Sequence, residues 1–395
     1  MARKLLFISS YAGLGGGESA MLNLLGALTR TPYPMNPFAA NAFAAHLLTP
    51  ADGIYPRQAR ALGVTTHTLA YRGASAYFVP ALWARFPITG KMARFIAAEG
   101  IDLVHSDYHS LPYALPAAAR AGVPLIWTCM GWWYPPRRWQ RGFFARIDHI
   151  TAISHAVKAR FLGQPPALPP ERIEVLWLGT DPDRFHPALA GTLGASLRTE
   201  LGIAPGAPVV SMLARFQYVK GYETFFEAAR LIAEARPDAR FIVAGENMAG
   251  SAADRRYRQR MLQWVERDAR LKKAIAFAGY REHAGAVITA SDVMVCASLF
   301  ESFGMVHIES MACGVPMVST DVGGPAETLI DGETGYLVPP RRPDLIAERV
   351  LHLLDHPEQR AAMGQAGRAR ALAHFTIAGY ARRFAEIVES LLARA

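Results

Sequence analysis

Short apolar runs alternate with longer amphipathic stretches along the first half of the chain. Because a buried parallel strand is a short and nearly continuous apolar run, the pattern predicts strands at these runs. The predicted strands are Leu5–Ser9, His46–Thr49, Thr65–Leu69, Leu103–His105, Pro124–Trp127 and His149–Ala152. The predicted helices include Glu18–Leu28, Ala81–Ala98, Tyr113–Ala121 and Ser154–Phe161. This alternation is typical of a doubly wound parallel sheet.

The same alternation restarts after a proline-rich stretch, residues 163–170. Further strands are predicted at Ile173–Trp177, Val209–Leu213, Phe241–Ala244, Ile275–Ala278, Asp292–Cys296 and Pro316–Thr320, and a last helix at Ile377–Ala393. We therefore predict an α/β protein with two doubly wound domains, residues 1–178 and 179–375, and a C-terminal helix in residues 376–395. A length of 395 residues fits two domains.

The composition is that of a globular protein. Hydrophobic residues make up 51% of the chain and charged residues only 19%, which excludes a disordered class. No apolar run reaches the roughly 18 to 20 residues that a membrane-spanning helix needs. Met1–Lys4 resembles the start of a signal peptide, but the apolar run Leu5–Ile8 soon reaches glycines, which favours a first buried strand.

The net charge favours an anionic partner. The chain has 42 Lys and Arg against 33 Asp and Glu, a formal charge of +9. Nucleotide diphosphates, anionic lipids and nucleic acids all fit such a balance. The basic residues are dispersed and no nucleic-acid-binding module is recognisable, so we predict no nucleic-acid partner.

Three cysteines, Cys129, Cys296 and Cys313, lie far apart and without the spacing of metal ligands. Each lies in an apolar segment, where a free cysteine usually acts as a small hydrophobic residue. The pattern predicts a reducing, cytoplasmic location and argues against a zinc site.

The residues around Gly304 form the clearest candidate site. A helix predicted from Met305 to Cys313 follows the strand that ends at Cys296, and its first N–H groups and dipole suit a phosphate. Gly304 allows the backbone to approach a bound group closely. Glu301 and Glu309 flank this turn and are better suited to accept hydroxyl hydrogen bonds than to face phosphate. The alternative is a capped helix with two solvated glutamates.

Four segments in a fixed order carry a family resemblance. They are Glu301 and Glu309 at their spacing, Ser319–Glu327, Asp331–Val338 and Ala214–Gly221. Together they resemble the nucleotide-sugar half of the retaining glycosyltransferases of family 4, which have the GT-B fold. The resemblance implies two Rossmann-like domains facing a central cleft, with the acceptor side in the first and the donor in the second. It also implies that the C-terminal helix packs back on the first domain.

The resemblance implies a nucleoside diphosphate sugar, with UDP or GDP, as donor substrate and no other cofactor. Glu309 would hold the ribose hydroxyls and Glu301 the hexose hydroxyls. The turn between them would bind the diphosphate through backbone N–H groups, and its implied donor-binding residues are Phe303, Gly304, Met305 and Val306.

Arg215 and Lys220 follow the predicted strand Val209–Leu213. Cations at the carboxyl end of a parallel strand face the ligand-binding edge of the sheet, where they would neutralise a leaving diphosphate. We predict that they take the place of a metal ion and are catalytic together with Glu301; the alternative is two solvated loop cations. Asp181 and Asp183 have the spacing of a metal-binding pair, but the proline between them favours a turn, so no metal is predicted.

Two further segments are assigned to the donor. The loop Gly13–Glu18 follows the first strand and opens a helix, as a phosphate loop does, or it is merely a flexible turn. Glu18 stands where a dinucleotide fingerprint needs glycine, which excludes an NAD site. Gly16 and Gly17 match the family position near the diphosphate, and Tyr280 and Arg281 match a position near the nucleobase.

The chain departs from the family at Met130. Family members often have a histidine in a Thr-x-His-Gly context, and here the sequence is Thr128-Cys129-Met130-Gly131. His105 and His109 end a neighbouring strand and could reach the same cleft, or they are structural histidines. The departure leaves open which residues contact the acceptor, and whether activity is lost.

Beside Met130, residues 132–146 interleave aromatic residues with arginines. The segment could meet an acidic acceptor or a bilayer at the inner membrane face, or it is a buried helix with its arginines outward.

The sequence therefore predicts a retaining, metal-independent transferase that moves a hexose to the hydroxyl of a glycan, lipid-linked or small-molecule acceptor. Two alternatives stay open: a nucleotide-sugar 2-epimerase, and a non-catalytic protein that binds sugar nucleotides.

Overall fold

The computed structural model describes residues 2–29, 43–75, 78–83, 86–131, 134–247 and 251–394. The chain divides into two compact units. The first combines Met1–Gly179 with Ile377–Ala395, and the second is Thr180–Thr376. Across these described ranges, no helix combines the length and apolar character needed to cross a membrane.

The described part of the first unit contains a parallel sheet of seven strands. The strands are β1 (Lys4–Ile8), β2 (Ala44–Thr49), β3 (Thr65–Thr68), β4 (Leu103–Ser106), β5 (Leu125–Cys129), β6 (His149–Ala152) and β7 (Ile173–Val175). Their order in the sheet is β3-β2-β1-β4-β5-β6-β7. Buried apolar residues dominate the central strands, as expected for a sheet covered on both faces.

Helices connect these strands and cover the sheet. They are α1 (Gly16–Thr29), α2 (Ile54–Ala61), α3 (Pro80–Trp83), α4 (Pro87–Glu99), α5 (Leu111–Ala121), α6 (Arg138–Phe144) and α7 (His155–Leu162). A 3₁₀ helix, Pro170–Arg172, precedes β7. The core includes the Trp127 ring, which packs against Phe144 and Phe161 with ring centroids 5.3 and 5.1 Å away.

The helix predicted as Ala81–Ala98 is wrong as one element. The structure has α3 and α4 instead, with Pro87 as the first residue of α4. Proline lacks the N–H that an interior helical residue donates, whereas the first helical position needs no such donor. Pro87 therefore starts a new helix rather than continuing the preceding one.

The described part of the second unit contains a parallel sheet of six strands. They are β8 (Val209–Leu213), β9 (Arg240–Ala244), β10 (Ile275–Gly279), β11 (Val293–Cys296), β12 (Met317–Thr320) and β13 (Tyr336–Val338). Their order is β10-β9-β8-β11-β12-β13. The main core of this unit includes Phe225, Phe226 and Phe241, all fully buried.

The second unit has these α-helices: α8 (Leu193–Glu200), α9 (Tyr222–Ala235), α10 (Ala252–Arg267), α11 (Ala269–Ala274), α12 (Ala284–Thr289), α13 (Met305–Ala312), α14 (Pro325–Thr328), α15 (Pro343–Asp355) and α16 (Pro357–His374). Short 3₁₀ helices lie at Pro187–Gly191 and Tyr218–Lys220.

The last helix, α17 (Ile377–Leu392), belongs to the first unit. The Phe384 ring lies 5.9 Å from the rings of both Phe7 and His105. The Arg383 guanidinium is 2.7 Å from the Glu174 carboxylate next to it. The helix thus completes the core of a unit whose other elements lie in the first half of the sequence.

Candidate functional site

The candidate site lies at the carboxyl edge of the second sheet, where the strand order reverses. β8 starts the series, β9 and β10 follow on one side of it, and β11 begins the other side. In open α/β sheets ligands bind at such a reversal, because the loops after the two adjacent strands diverge there. The loops after β8 and β11 carry most of the site residues predicted from the sequence.

Backbone contacts hold these two loops together. The N–H of Leu299 donates to the carbonyl of Val219 at 2.7 Å. Gly221 has a φ of 68°, and a Cβ there would lie 2.0 Å from the Ala297 carbonyl oxygen. A side chain at position 221 would separate the loops, so glycine is required for their approach.

Lys220 and Glu301 meet at this contact. The Lys220 Nζ donates to Glu301 Oε2 at 2.6 Å, and the two side chains are only 18% and 16% exposed. Burial alone would lower the pKa of Lys220, but Glu301 and Cys296 more than offset it, so the net pKa is raised. Burial would raise the pKa of Glu301, but the charge and hydrogen bond of Lys220 lower it. Both groups are therefore ionised at neutral pH.

The backbone of Glu301 is fixed as well as its side chain. Residue 301 forms a parallel bridge with Gly323, its N–H donates to the Val322 carbonyl, and its carbonyl accepts from Gly324. A Cβ at Gly323 would lie 2.0 Å from the Glu301 oxygen, and one at Gly324 would lie 2.4 Å from Phe303 Cα. The glycine turn at 323–324, within the segment Ser319–Glu327, therefore holds the loop that carries Glu301 in place.

Arg215 is partly buried in the loop after β8. Its charge lowers the pKa of Lys220 by a small amount, so the two cations act on the same region. The order of strands brings both of them beside the loop after β11, as the sequence analysis expected for residues at strand ends.

The turn into α13 has the expected glycine conformation. Gly304 precedes the helix with a φ of 92°, and a Cβ there would lie 1.8 Å from the His307 ring. Met305 and Val306 begin the helix, where N–H groups have no acceptor within the helix itself. Phe303 is 1% exposed and packs edge-on against Phe375, so only its backbone faces the turn.

Glu309 differs from Glu301. No described residue forms a hydrogen bond or an ion pair with its carboxylate, which is partly buried. Burial raises the pKa of Glu309 to about 7, and Arg184 opposes this shift. The candidate site thus combines one paired, ionised glutamate with one that titrates near neutral pH.

A largely buried polar network supports Glu301, and no motif in the sequence indicated it. The Ser298 hydroxyl donates to Glu301 Oε2 at 3.4 Å and accepts from the Cys296 thiol at 3.4 Å. Next to Cys296 lies His307, whose Nε2 is 2.8 Å from Ser319 Oγ. The one signal in the sequence was position, because Cys296 ends β11 and Ser298 follows it.

His307 and Cys296 influence each other's charge. Burial raises the pKa of the Cys296 thiol, but the hydrogen bond and charge of His307 more than reverse this, so its pKa is lowered. Burial lowers the pKa of His307, and Cys296 and Glu301 reverse that shift. His307 therefore does more than pack in the helix, because both of its ring nitrogens lie within hydrogen-bond distance of a neighbour.

Tyr280 and Arg281 follow β10, and their side chains differ in exposure and in hydrogen bonding. The Tyr280 ring is 59% exposed. Arg281 binds both carboxylate oxygens of Glu200 at 2.5 and 2.8 Å, and its Nε donates to the Ala278 carbonyl. Tyr280 is open to contact a ligand, whereas the Arg281 side chain is already bound within the second unit.

In the first unit, the glycine loop follows β1 and α1 begins at Gly16, two residues earlier than predicted. No atom lies within 4 Å of the Cβ position of Gly16, and the nearest to that of Gly17 is Met130 Sδ at 3.5 Å. The structure therefore brings Gly17 and Met130 together at one edge of the first sheet.

Both histidines considered in place of Met130 have local partners. His105 is buried, its Nε2 is 2.9 Å from Thr128 Oγ1, and burial lowers its pKa to about 3. The Nδ1 of His109 is 2.7 Å from the Ala74 carbonyl. Both side chains are thus packed or hydrogen-bonded, as expected for the alternative in which these histidines have a structural role.

Asp181 and Asp183 form a turn. The Asp183 N–H donates to Asp181 Oδ1 at 3.0 Å, and the N–H groups of Arg184 and Phe185 donate to the Asp181 carbonyl. Within the part of the chain that the structure describes, neither aspartate belongs to a group of three metal-ligand side chains.

The aromatic and basic segment contains α6, while Trp132 and Trp133 lie outside the described residues. Phe143 and Phe144 of α6 face the core. Trp139 is about half exposed and the Arg137 guanidinium lies 5.7 Å from its ring. The helix therefore has one buried aromatic face and one exposed basic face.

Two family profiles cover the two units. Residues 15–184 match Glycosyltransferase Family 4, and residues 195–370 match Glycosyl transferases group 1. A crystal structure of the Anabaena protein Alr3699/HepE in complex with UDP-glucose is similar, with a TM-score of 0.80 at 21% identity over 98% of this chain and 99% of that one.

Two relatives are similar in sequence over most of their length. The α-maltose-1-phosphate synthase of Mycolicibacterium smegmatis is 29% identical over 75% of this chain and 81% of its own. A GDP-mannose-dependent monoacylated α-(1-6)-phosphatidylinositol monomannoside mannosyltransferase of Corynebacterium glutamicum is 30% identical over 76% of this chain and 79% of its own. The chain belongs to the family 4 glycosyltransferases. The predicted family and GT-B fold are thereby confirmed, and this glycosyltransferase has two parallel-sheet α/β units.

Proposed function

We propose that this glycosyltransferase transfers a hexose from a UDP- or GDP-sugar to an acceptor hydroxyl, with retention and without a metal ion. The observation that carries the proposal is the pair of unlike glutamates on either side of the turn at Gly304. Glu301 is ionised and bound to Lys220, whereas Glu309 has no partner among the described residues. A hexose, a diphosphate and a ribose in a row match this order.

Glu309 is assigned to the ribose. An ionised carboxylate accepts two hydroxyl hydrogen bonds, and a partly buried carboxylate without a partner gains most from them. The diphosphate is assigned to the N–H groups of Met305 and Val306 at the positive end of the α13 dipole. The neighbouring Anabaena structure contains UDP-glucose and the Corynebacterium relative is named for GDP-mannose, which leaves both bases as candidates.

Lys220 and Arg215 are assigned to the leaving diphosphate. As the bond from the anomeric carbon to the phosphate oxygen breaks, negative charge develops on that oxygen, and nearby cations stabilise it. This role is the one that a divalent metal would otherwise have. Glu301 keeps Lys220 oriented. It also accepts hydrogen bonds from the hexose hydroxyl groups and stabilises positive charge at the anomeric carbon.

Retention follows from the choice of proton acceptor. An inverting transfer needs a base opposite the leaving group, and neither the Met130 thioether nor the buried His105 supplies one. In the proposed route the acceptor oxygen bonds to the anomeric carbon on the face that the diphosphate leaves. Its proton passes to the departing phosphate oxygen. The assignment of Gly16 and Gly17 to the donor rests on the resemblance alone.

The exposed face of α6 is assigned to the acceptor side. Arginines with an exposed tryptophan suit an anionic acceptor or an anionic membrane surface. Replacement of Arg137, Arg138 and Arg141 by Gln is expected to raise the KM for the acceptor while the Kd for the donor stays unchanged. Equal loss of both would show misfolding, and no change in either would remove this assignment.

The central test is the anomeric configuration of the product, read from proton NMR coupling after reaction with an α-linked donor. An α-linked product is expected, and a β-linked one would contradict retention. The same reaction after exhaustive chelation is expected to keep its rate. Strict recovery by Mn²⁺ would contradict metal independence. Turnover of the donor to an epimer without acceptor would favour the epimerase instead.

A further inference from the structure

His46, His67 and Glu99 lie together in the first unit, outside the residues assigned to transfer. His46 is on β2 and His67 on β3, the edge strand of the sheet. The register pairs His67 with Leu48, so the two histidines are on the same face, one diagonal step apart. Glu99 is the last residue of α4, which brings its carboxylate to the same place.

The three ligand atoms are close enough to share one ion. One ligand atom from each side chain lies within 4.8 Å of the others. The His46 Nδ1 and His67 Nε2 are 2.9 Å apart and their ring planes are only 4° from parallel. Phe95, one turn before Glu99 on α4, packs edge-on against the His67 ring and fixes its orientation.

The surroundings of both imidazoles favour the neutral form, which is the form that binds metals. Burial lowers the pKa of His46, and His67 and Lys4 lower it further. Burial also lowers the pKa of His67, against the effect of Glu99. Neutral imidazole is the metal-binding form, so no proton must be displaced from a charged ring at neutral pH.

We propose that His46, His67 and Glu99 form a structural site for Zn²⁺ or a similar divalent transition metal. Two imidazoles and one carboxylate are a ligand set that zinc accepts, with water in the fourth position. At about 2.0–2.1 Å per bond, tetrahedral zinc separates its ligand nitrogens by about 3.3 Å. The two ring nitrogens, now 2.9 Å apart, need to separate by a few tenths of an ångström, and the rings need to turn so that both nitrogens point at the ion. The ring that donates the hydrogen bond between the two histidines must also carry its proton on its other nitrogen, so that the nitrogen facing the metal is free to bind it.

The site links the edge strand β3, its neighbour β2 and the end of α4. A bound metal is therefore expected to stabilise the folded first unit. Lys4 Nζ donates to the Glu99 carbonyl at 2.7 Å, which holds the end of α4 near β1. The positive charge of the Lys4 ammonium also repels the metal ion. With water in the fourth position, the metal has one protein ligand fewer than at a closed site. We therefore expect weaker binding than at a closed four-ligand zinc site. Mg²⁺ is excluded as the preferred ion, because it favours oxygen ligands.

The test is equilibrium dialysis of the chelator-treated full chain against Zn²⁺, with metal measured by mass spectrometry and the melting temperature followed in parallel. One zinc per chain and a rise in melting temperature are expected. His67→Gln and Glu99→Gln are each expected to weaken binding by at least about tenfold. Because Glu99 is at a helix end and partly exposed, its variant keeps the test valid if the His67 variant fails to fold.

The matched control is His352→Gln. His352 and His356 form another close pair, with ring centroids 4.4 Å apart, but His352 Nε2 is bonded to Gln359. This variant is expected to bind zinc like the wild type. Stoichiometric binding that survives both His67→Gln and Glu99→Gln, or that disappears in the control, would overturn the proposal. So would a wild type that binds no zinc.

Discussion

The strand order of the second sheet matches that of the first six strands of the first sheet, which has β7 in addition, yet the equivalent reversal points differ in chemistry. Between β8 and β11 a lysine and a glutamate form a buried ion pair. Between β1 and β4 the corresponding carboxylate, Asp107, accepts from the Ser10 N–H and hydroxyl at 2.6 and 2.7 Å and from the Ser110 N–H at 2.6 Å.

The difference separates two uses of one architecture. The carboxylate oxygens of Asp107 accept hydrogen bonds from the loops that follow β1 and β4. They therefore hold these loops in place and have little capacity left to bind a ligand. The Lys220–Glu301 pair has charges that a substrate can engage. A shared strand order therefore supplies the position of a site but not its chemistry.

The strongest test of this contrast is Lys220→Ala. Removal of a charge-stabilising donor is expected to lower kcat by about two to four orders of magnitude, and Arg215→Ala is expected to act in the same range. Initial rates at saturating donor measure the effect. Near-normal turnover in both variants would show that the reversal point of the second sheet is not the catalytic one.

A second test compares the glycines that open the two helices. Gly304→Ala is expected to cost about 1–3 kcal/mol, because φ is positive and the His307 ring is in the way. Gly16→Ala adds a methyl group to open space, so it is the matched control and its unfolding midpoint is expected to stay near that of the wild type. Denaturant titration measures both, and equal losses would contradict the described turn.

The third test uses the pKa of Glu309. Because the ionised form accepts the ribose hydroxyls, kcat/KM for the donor is expected to rise with pH through about 7. Glu309→Gln is expected to lose about tenfold in donor affinity at pH 8 and to flatten this rise. A wild-type profile that is level between pH 6 and 8 would remove the role of Glu309.

Glu309 also contributes to the pH dependence of the free energy of unfolding. Its folded pKa lies above the unfolded value, so the folded state binds the extra proton. Stability is expected to fall as pH rises from about 4.5 to about 7 and then to level. In Glu309→Gln this component of the pH dependence of the unfolding free energy should disappear.

The smallest effect is expected in the first unit. His109→Ala removes a histidine whose Nδ1 is bound to the Ala74 carbonyl, and turnover is expected to stay within a few-fold of the wild type. Collapse of turnover in a correctly folded variant would place a base in this unit and contradict the base-free route, even with a retained product.

Much of the fold could be predicted because the individual strands and helices are encoded by local sequence patterns. Apolar runs marked the strands, and Gly304 marked a turn whose close contacts require glycine. The break between α3 and α4 was missed because the apolar pattern continues across it, although Pro87 signalled a helix start.

The candidate site was predictable only in part. Glu301 and Glu309 stood out by their spacing, but their opposite surroundings depend on contacts between distant loops. The mutual effect of Cys296 and His307 on their pKa values arises between a strand end and a helix, and no spacing rule covers it. For the same reason the cysteine spacing, which argued against zinc, had no bearing on histidines joined by strand pairing.

The position of α17 has a consequence for synthesis. A domain usually folds as its sequence leaves the ribosome, N-terminal domain first. Here the residues that cover Phe7 and His105 are translated after the whole second unit. Until then the earlier unit exposes apolar surface to chaperones and proteases, so a premature stop before Ile377 harms the half of the protein that was made first.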